Sequence, residues 1–227
     1  MQGQPLLLAM SGLALIAGGA AAIRALFLGR RVQARRIALA LWAGAGVYAA
    51  ALLAVSLGSE QRVLGPGEQK RFCGLHLDCH LYVSVADVRR TRELGGREAR
   101  GTFWVVRLKV GSDARRAVLA PRGLAVEMTD GGGRPIARRP DAEASLVPWR
   151  RTPLPLDRPV DPGASYLREV VFDVPDDARD PQLLVTEGAG VERVAERFVI
   201  GDEDSWLHAP TRIRLETVRT ATAGGAR

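Results

Sequence analysis

Thr102-Phe103-Trp104-Val105-Val106-Arg107-Leu108-Lys109-Val110 is the stretch that decides the fold. Trp104, Val106, Leu108 and Val110 fall on one side of a period of two, and Val105, Arg107 and Lys109 on the other, which is the pattern of a half-buried strand. The same alternation places Leu81, Val83 and Val85 opposite Tyr82, Ser84 and Ala86, and Leu124, Val126 and Met128 opposite Ala125 and Glu127. Asp130-Gly131-Gly132-Gly133 is a turn signal, after which Arg134 to Arg138 returns as a hairpin partner. Arg139 to Ser165 carries Pro140, Pro148, Pro153, Pro155, Pro159 and Pro162. That much proline is incompatible with central strands, so the stretch reads as an irregular crossing with an edge strand near Leu146. Tyr166 to Val174 follows, with Val170, Phe172 and Val174 inward and Glu169 and Asp173 outward. Gln182 to Thr186, Arg197 to Ile200 and Arg212 to Glu216 complete about eight short strands, which predicts two packed antiparallel sheets.

Before this region the composition changes. Of the 227 residues, 47% are hydrophobic, and the first 58 are dominated by Ala, Leu, Gly, Ile and Val. Pro5 to Ile23 and Ile37 to Gly58 contain no charge. At 1.5 Å per residue the second run gives about 33 Å of helix, enough for a hydrocarbon core of about 30 Å. Two transmembrane helices are predicted, over about 5–28 and 37–58. The intervening loop, 29–36, holds Arg30, Arg31, Arg35 and Arg36, with Arg24 just before it. Five arginines and no acid place that face in the cytoplasm and everything after Gly58 outside it. A cleaved signal peptide fits less well, because Met1 to Gln4 has no basic residue. Gly12, Gly18, Gly19, Gly44 and Gly46 would let the two helices pack closely or support a homo-oligomer.

Net charge is +7, but nearly all basic residues are arginine, the lysines being Lys70 and Lys109 alone. Part of the excess belongs to the topological loop, so nucleic acid is not the expected partner; the lipid bilayer and an envelope protein are. Residues 59–72, with Gly65-Pro66-Gly67, read as a linker, 73–217 as the extracytoplasmic sandwich and 218–227 as a flexible tail.

Cys73 and Cys79 are the only cysteines. In an oxidising compartment a disulfide is their simplest fate, pinning the chain into the first strand. The alternatives are a thiol redox centre, whose usual spacing is shorter, and a zinc or copper site built from the Cys/His segment with His76, His80 and the distant His208. Asp202, Glu203 and Asp204 could join His80 and His208 in a small polar site; a solvated turn is the plainer reading. Three histidines, none near a nucleophile elbow, and glycine-rich turns without a following Lys-Ser/Thr argue against an enzyme and against a cofactor.

The stretch Gly101 to Val110, the Leu119-Ala120-Pro121-Arg122 segment with Thr129-Asp130-Gly131, and Asp161-Pro162-Gly163 followed by Val170-Val171-Phe172-Asp173-Val174-Pro175 resemble bacterial envelope domains of unknown function with an immunoglobulin-like fold. The likeness covers roughly residues 80 to 200. It implies an immunoglobulin-like sandwich that is secreted or tethered, and brings no catalytic residues with it.

Overall fold

The computed structural model describes residues 4–73, 79–146, 155–188, 190–201, 203 and 205–215. The chain divides into two compact units. One contains the N-terminal helices with Gly190–Pro210, and the other the strands.

In the first unit, α1 (Gln4–Phe27) and α2 (Arg31–Leu57) form a helical hairpin. Gly29, at φ 70°, ends α1 in the left-handed conformation that glycine adopts without strain. The amides of Gly29 and Arg30 close the turn on the carbonyls of Leu26 and Ala25 at 3.0 and 2.9 Å. The loop is therefore much shorter than the 29–36 expected. Arg31, Arg35 and Arg36 lie in the first turns of α2, because arginine is a good helix former and nothing before Gly58 breaks the pattern. Of the glycines, only Gly18 sits at the helix contact: a Cβ there would meet Leu41 Cδ2 at 2.6 Å. Gly12, Gly19, Gly44 and Gly46 have nothing within 4 Å of that position, so they do not bring α1 to α2.

Both helices are apolar on all sides, as befits either a core helix or a membrane span. Only 6% of the residues in each span are buried. Phe27 is 87% exposed and Trp42 74%. These are two helices long and apolar enough to cross a membrane, and they are not packed as a core.

The second unit is a β-sandwich. One sheet has the order β1 (Val63–Leu64), β9 (Arg212–Arg214), β8 (Gln182–Thr186), β5 (Ala125–Thr129), β6 (Pro135–Ile136); the other β2 (Lys70–Phe72), β3 (Leu81–Leu94), β4 (Arg97–Ser112), β7 (Ser165–Val174). All pairings are antiparallel except β1 with β9, which is parallel. β1 and β2 fall in the stretch expected to be a linker: two- and three-residue strands are too short to show a period. Between the sheets lie residues that the alternation groups on single strand faces, including Val83, Val85, Trp104, Val106, Leu108, Val110, Val126, Met128, Val170 and Phe172, together with Leu183 and Ile213.

The second sheet is also covered on its outer face. Phe103, Val105 and Val171 form a smaller cluster with Ala142. Ala142 comes from α3 (Pro140–Glu143), which continues as a 3-10 turn over Ala144–Leu146. The edge strand expected near Leu146 is thus a helical turn. Pro140 at its first position, with Asp141 and Glu143 behind it, is a helix start. The strand expected over Arg197 to Ile200 is likewise a turn after α4 (Gly190–Glu196), closed by Phe198 and Val199 amides on Ala195 and Glu196 carbonyls. A short apolar pair such as Phe198-Val199 does not distinguish the two. Gly190–Pro210 groups with the helices, not with the sandwich to which residues 73–217 were assigned.

Cys73 and Cys79 are disulfide-bonded. The closed loop is short, so opening it is expected to cost about 2 kcal/mol in chain entropy. Cys73→Ala/Cys79→Ala should lower the urea midpoint accordingly; an unchanged midpoint would show that the bond does not restrain the unfolded chain.

Candidate functional site

The disulfide stands at one end of the second sheet, and three polar side chains gather beside it from the ends of three strands. Arg71 projects from β2, His80 precedes β3 and Asp113 follows β4. Arg71 Nη1 donates to Asp113 Oδ2 at 2.5 Å and to the Cys79 carbonyl at 3.2 Å. His80 Nδ1 lies 2.6 Å from Asp113 Oδ1, and the Asp113 amide donates to the His80 carbonyl at 3.0 Å. The Arg71 guanidinium first, and His80 second, hold the Asp113 carboxyl below the ordinary aspartate range. This cluster fastens the turn between Cys79 and β3 to the outgoing end of β4.

It offers a metal little. The Asp113 carboxylate is already shared with a guanidinium, whose charge repels a cation. Among the described residues no group of three or more metal-donor side chains occurs. Of the three histidines, His80 is placed as above. His208 Nδ1 is 3.0 Å from the carbonyl of Ala209, in the other unit. His76 lies outside the described residues, as do Asp78, Asp202, Asp204 and the 218–227 tail.

A second polar region surrounds α3. Glu143, 2% exposed, is gripped by Arg138 through Nε at 2.7 Å and Nη2 at 2.9 Å, by Arg168 Nη2 at 2.7 Å and by the Val171 amide at 3.2 Å. Two residues beyond Val171, Asp173 accepts from the Arg100 and Gly101 amides and from Arg139 Nη1 at 3.1 Å. Arg139 also forks onto Asp141, which holds that carboxyl at about 2. An open cleft of about 730 Å³ runs past Arg100, Ile136, Arg139, Asp173, Asp176 and Asp177. Both signs of charge line it, so its field selects neither anions nor cations. None of this was read from the sequence. Asp173 was expected to point outward, which it does, but under cover; the arginines at 138, 139 and 168 carried no periodic signal.

Asp130 and Asp177 clasp Arg134 at the β5–β6 turn, and their carboxyls too lie below the usual range. For a carboxyl lowered in the folded state, the unfolded chain binds protons first as pH falls. Stability is then intact above about pH 4 and lost toward about pH 2. The denaturation midpoint of the full chain in detergent should be flat from pH 7 to 5 and fall steadily below 4, through Asp113, Asp130, Asp141 and Asp177. A midpoint unchanged down to pH 2.5 would show these pairs to be too solvent-screened to matter.

No protein-family model matches the chain, and no curated protein matches it. Among solved structures it is similar to the yjhA protein from Bacillus subtilis, at 10% identity over 67% of this chain and 99% of that one, TM-score 0.43. It is similar to a secreted protein from Mycobacterium tuberculosis at 14% identity, 60% and 95% coverage, TM-score 0.40. An uncharacterized beta-sandwich protein from Clostridium difficile 630 follows at 9% identity, 70% and 96% coverage, TM-score 0.37. Likenesses this distant carry no argument about what this chain binds or does.

Proposed function

We propose that the chain is a membrane-tethered, non-catalytic module of the cell envelope, whose helical hairpin holds an immunoglobulin-like sandwich outside the cytoplasm to bind or stabilise an envelope protein. The observation that carries this reading is the unburied apolar surface of α1 and α2. Ile16, Trp42 and Val47 are all more than two-thirds exposed, and a contiguous surface of this kind is stable only in lipid or against a partner. The five arginines at the α1–α2 turn set the orientation. The disulfide suits an oxidising space. Several of the arginine–carboxylate pairs, such as Arg71–Asp113, Arg139–Asp173 and Arg168–Glu143, read as fastenings of loops and the short helix to the sheet.

Membranes carrying the full chain should retain it in alkaline carbonate and release it only to detergent; carbonate release would overturn the anchoring. On the sandwich, Val118 and Leu167 are the exposed large hydrophobics among the described residues, and Leu167 lies on the edge strand β7. A photo-crosslinking side chain at Leu167 should give a discrete adduct in native membranes. Smears or no adduct, from Leu167 and Val118 alike, would count against a binding role.

A further inference from the structure

We propose that Gly190–Pro210 is a lipid-facing element that lies in the outer boundary of the bilayer beside α2; this rests on the reading of α1 and α2 as membrane spans. The segment belongs to the same compact unit as the hairpin. Three hydrogen bonds attach it to the C-terminal part of α2 and the residues just after it. Tyr48 Oη donates to the Phe198 carbonyl at 2.6 Å, Ser56 Oγ and Ser205 Oγ are 3.2 Å apart and buried, and the Ala209 amide donates to Ser59 Oγ at 2.8 Å.

These contacts fix a depth. A hydrocarbon core of about 30 Å that begins after Arg36 ends about 20 residues later, close to Ser56. The Ser56–Ser205 and Ser59–Ala209 contacts therefore stand at the outer boundary of the core. Its surface suits lipid. Val194, Phe198, Trp206 and Leu207 are exposed, Trp206 at 60% and Phe198 at 47%. Tryptophan favours the membrane interface. Glu196, Arg197 and Glu203 in the same segment exclude the bilayer centre and set it at the boundary. A lipid surface, not a protein groove, is the occupant these observations fit.

Single-cysteine variants of the full chain test this, because the native thiols are tied in a disulfide. Nitroxide labels at Phe198→Cys, Trp206→Cys, Trp42→Cys and Val118→Cys would be compared in phosphatidylcholine/phosphatidylglycerol vesicles. The readout is relaxation by oxygen against relaxation by a water-soluble nickel chelate. Trp42 should show the deepest lipid value, Val118 the water value, and Phe198 or Trp206 a value between them on the lipid side. Trp42 deep with both Phe198 and Trp206 at the Val118 value overturns the proposal but leaves the anchor standing. A water-like Trp42 overturns the membrane reading and this inference with it.

Discussion

Glu143→Ala is expected to destabilise the sandwich by about 3–5 kcal/mol, which is the usual consequence of removing one partner from a buried ionic cluster. Arg168 is 11% exposed on its side chain and keeps Glu143 as its carboxylate partner; its Nε has no acceptor among the described residues. Without Glu143 that guanidinium is left in the interior with its charge unmatched, Arg138 loses a bidentate partner, and the Val171 amide loses an acceptor. The Coulomb attraction of the cluster is not net stability, because Glu143 and Arg168, and Arg138 in part, were desolvated to form it. Glu143→Leu/Arg138→Met/Arg168→Leu should therefore cost far less than Glu143→Ala alone, although it removes more charge. Urea unfolding of the two variants, in the same detergent, decides. Equal losses would mean that the charges stabilise the fold outright.

Phe172→Ala is expected to cost a similar amount, about 3–5 kcal/mol, by a different route. Phe172 is fully buried, faces the other sheet from β7 and stands opposite Trp104 on β4. Its neighbours, Val170 and Val174 on the same strand face, are anchored in β7 and cannot close the space. Phe172→Leu should recover most of the loss, since it restores apolar volume. A Phe172→Ala variant as stable as the parent would mean that the two sheets are not packed through this residue.

The core was legible because it repeats. Alternation puts Val106 with Leu108 and Val126 with Met128 on single strand faces, and Val170 and Phe172 inward, and all six are buried between the sheets. The long β3–β4 hairpin was read only in its apolar halves. Asp87 to Glu93 is mostly charged and breaks the alternation, so the sequence offered no period there. Yet Gly95 and Gly96, both at positive φ, are the two-residue turn that such a hairpin needs. β1 and β2 were hidden by brevity. The Glu143 cluster was hidden because ion pairs between a helical turn, the segment before it and a distant strand have no sequence spacing of their own. The grouping of Gly190–Pro210 with the hairpin depends on hydrogen bonds from Tyr48, Ser56 and Ser59, more than a hundred residues away. The disulfide needed only two cysteines and a compartment.

The membrane reading gives these pieces one setting. Arg24, Arg30, Arg31, Arg35 and Arg36 crowd the turn of the hairpin, and the strands beyond Glu60 build the sandwich with its cystine. If that turn stays on the cytoplasmic side, the sandwich folds beyond the bilayer whatever partner it meets there.

The most direct measurement is the activity of alkaline phosphatase fused after Leu215, beside the fluorescence of a green fluorescent protein fused at the same point, in bacteria expressing the whole preceding chain. An active phosphatase with a dark fluorescent fusion is the predicted pair of results. An inactive phosphatase with a bright fluorescent fusion would put the sandwich in the cytoplasm and contradict the account.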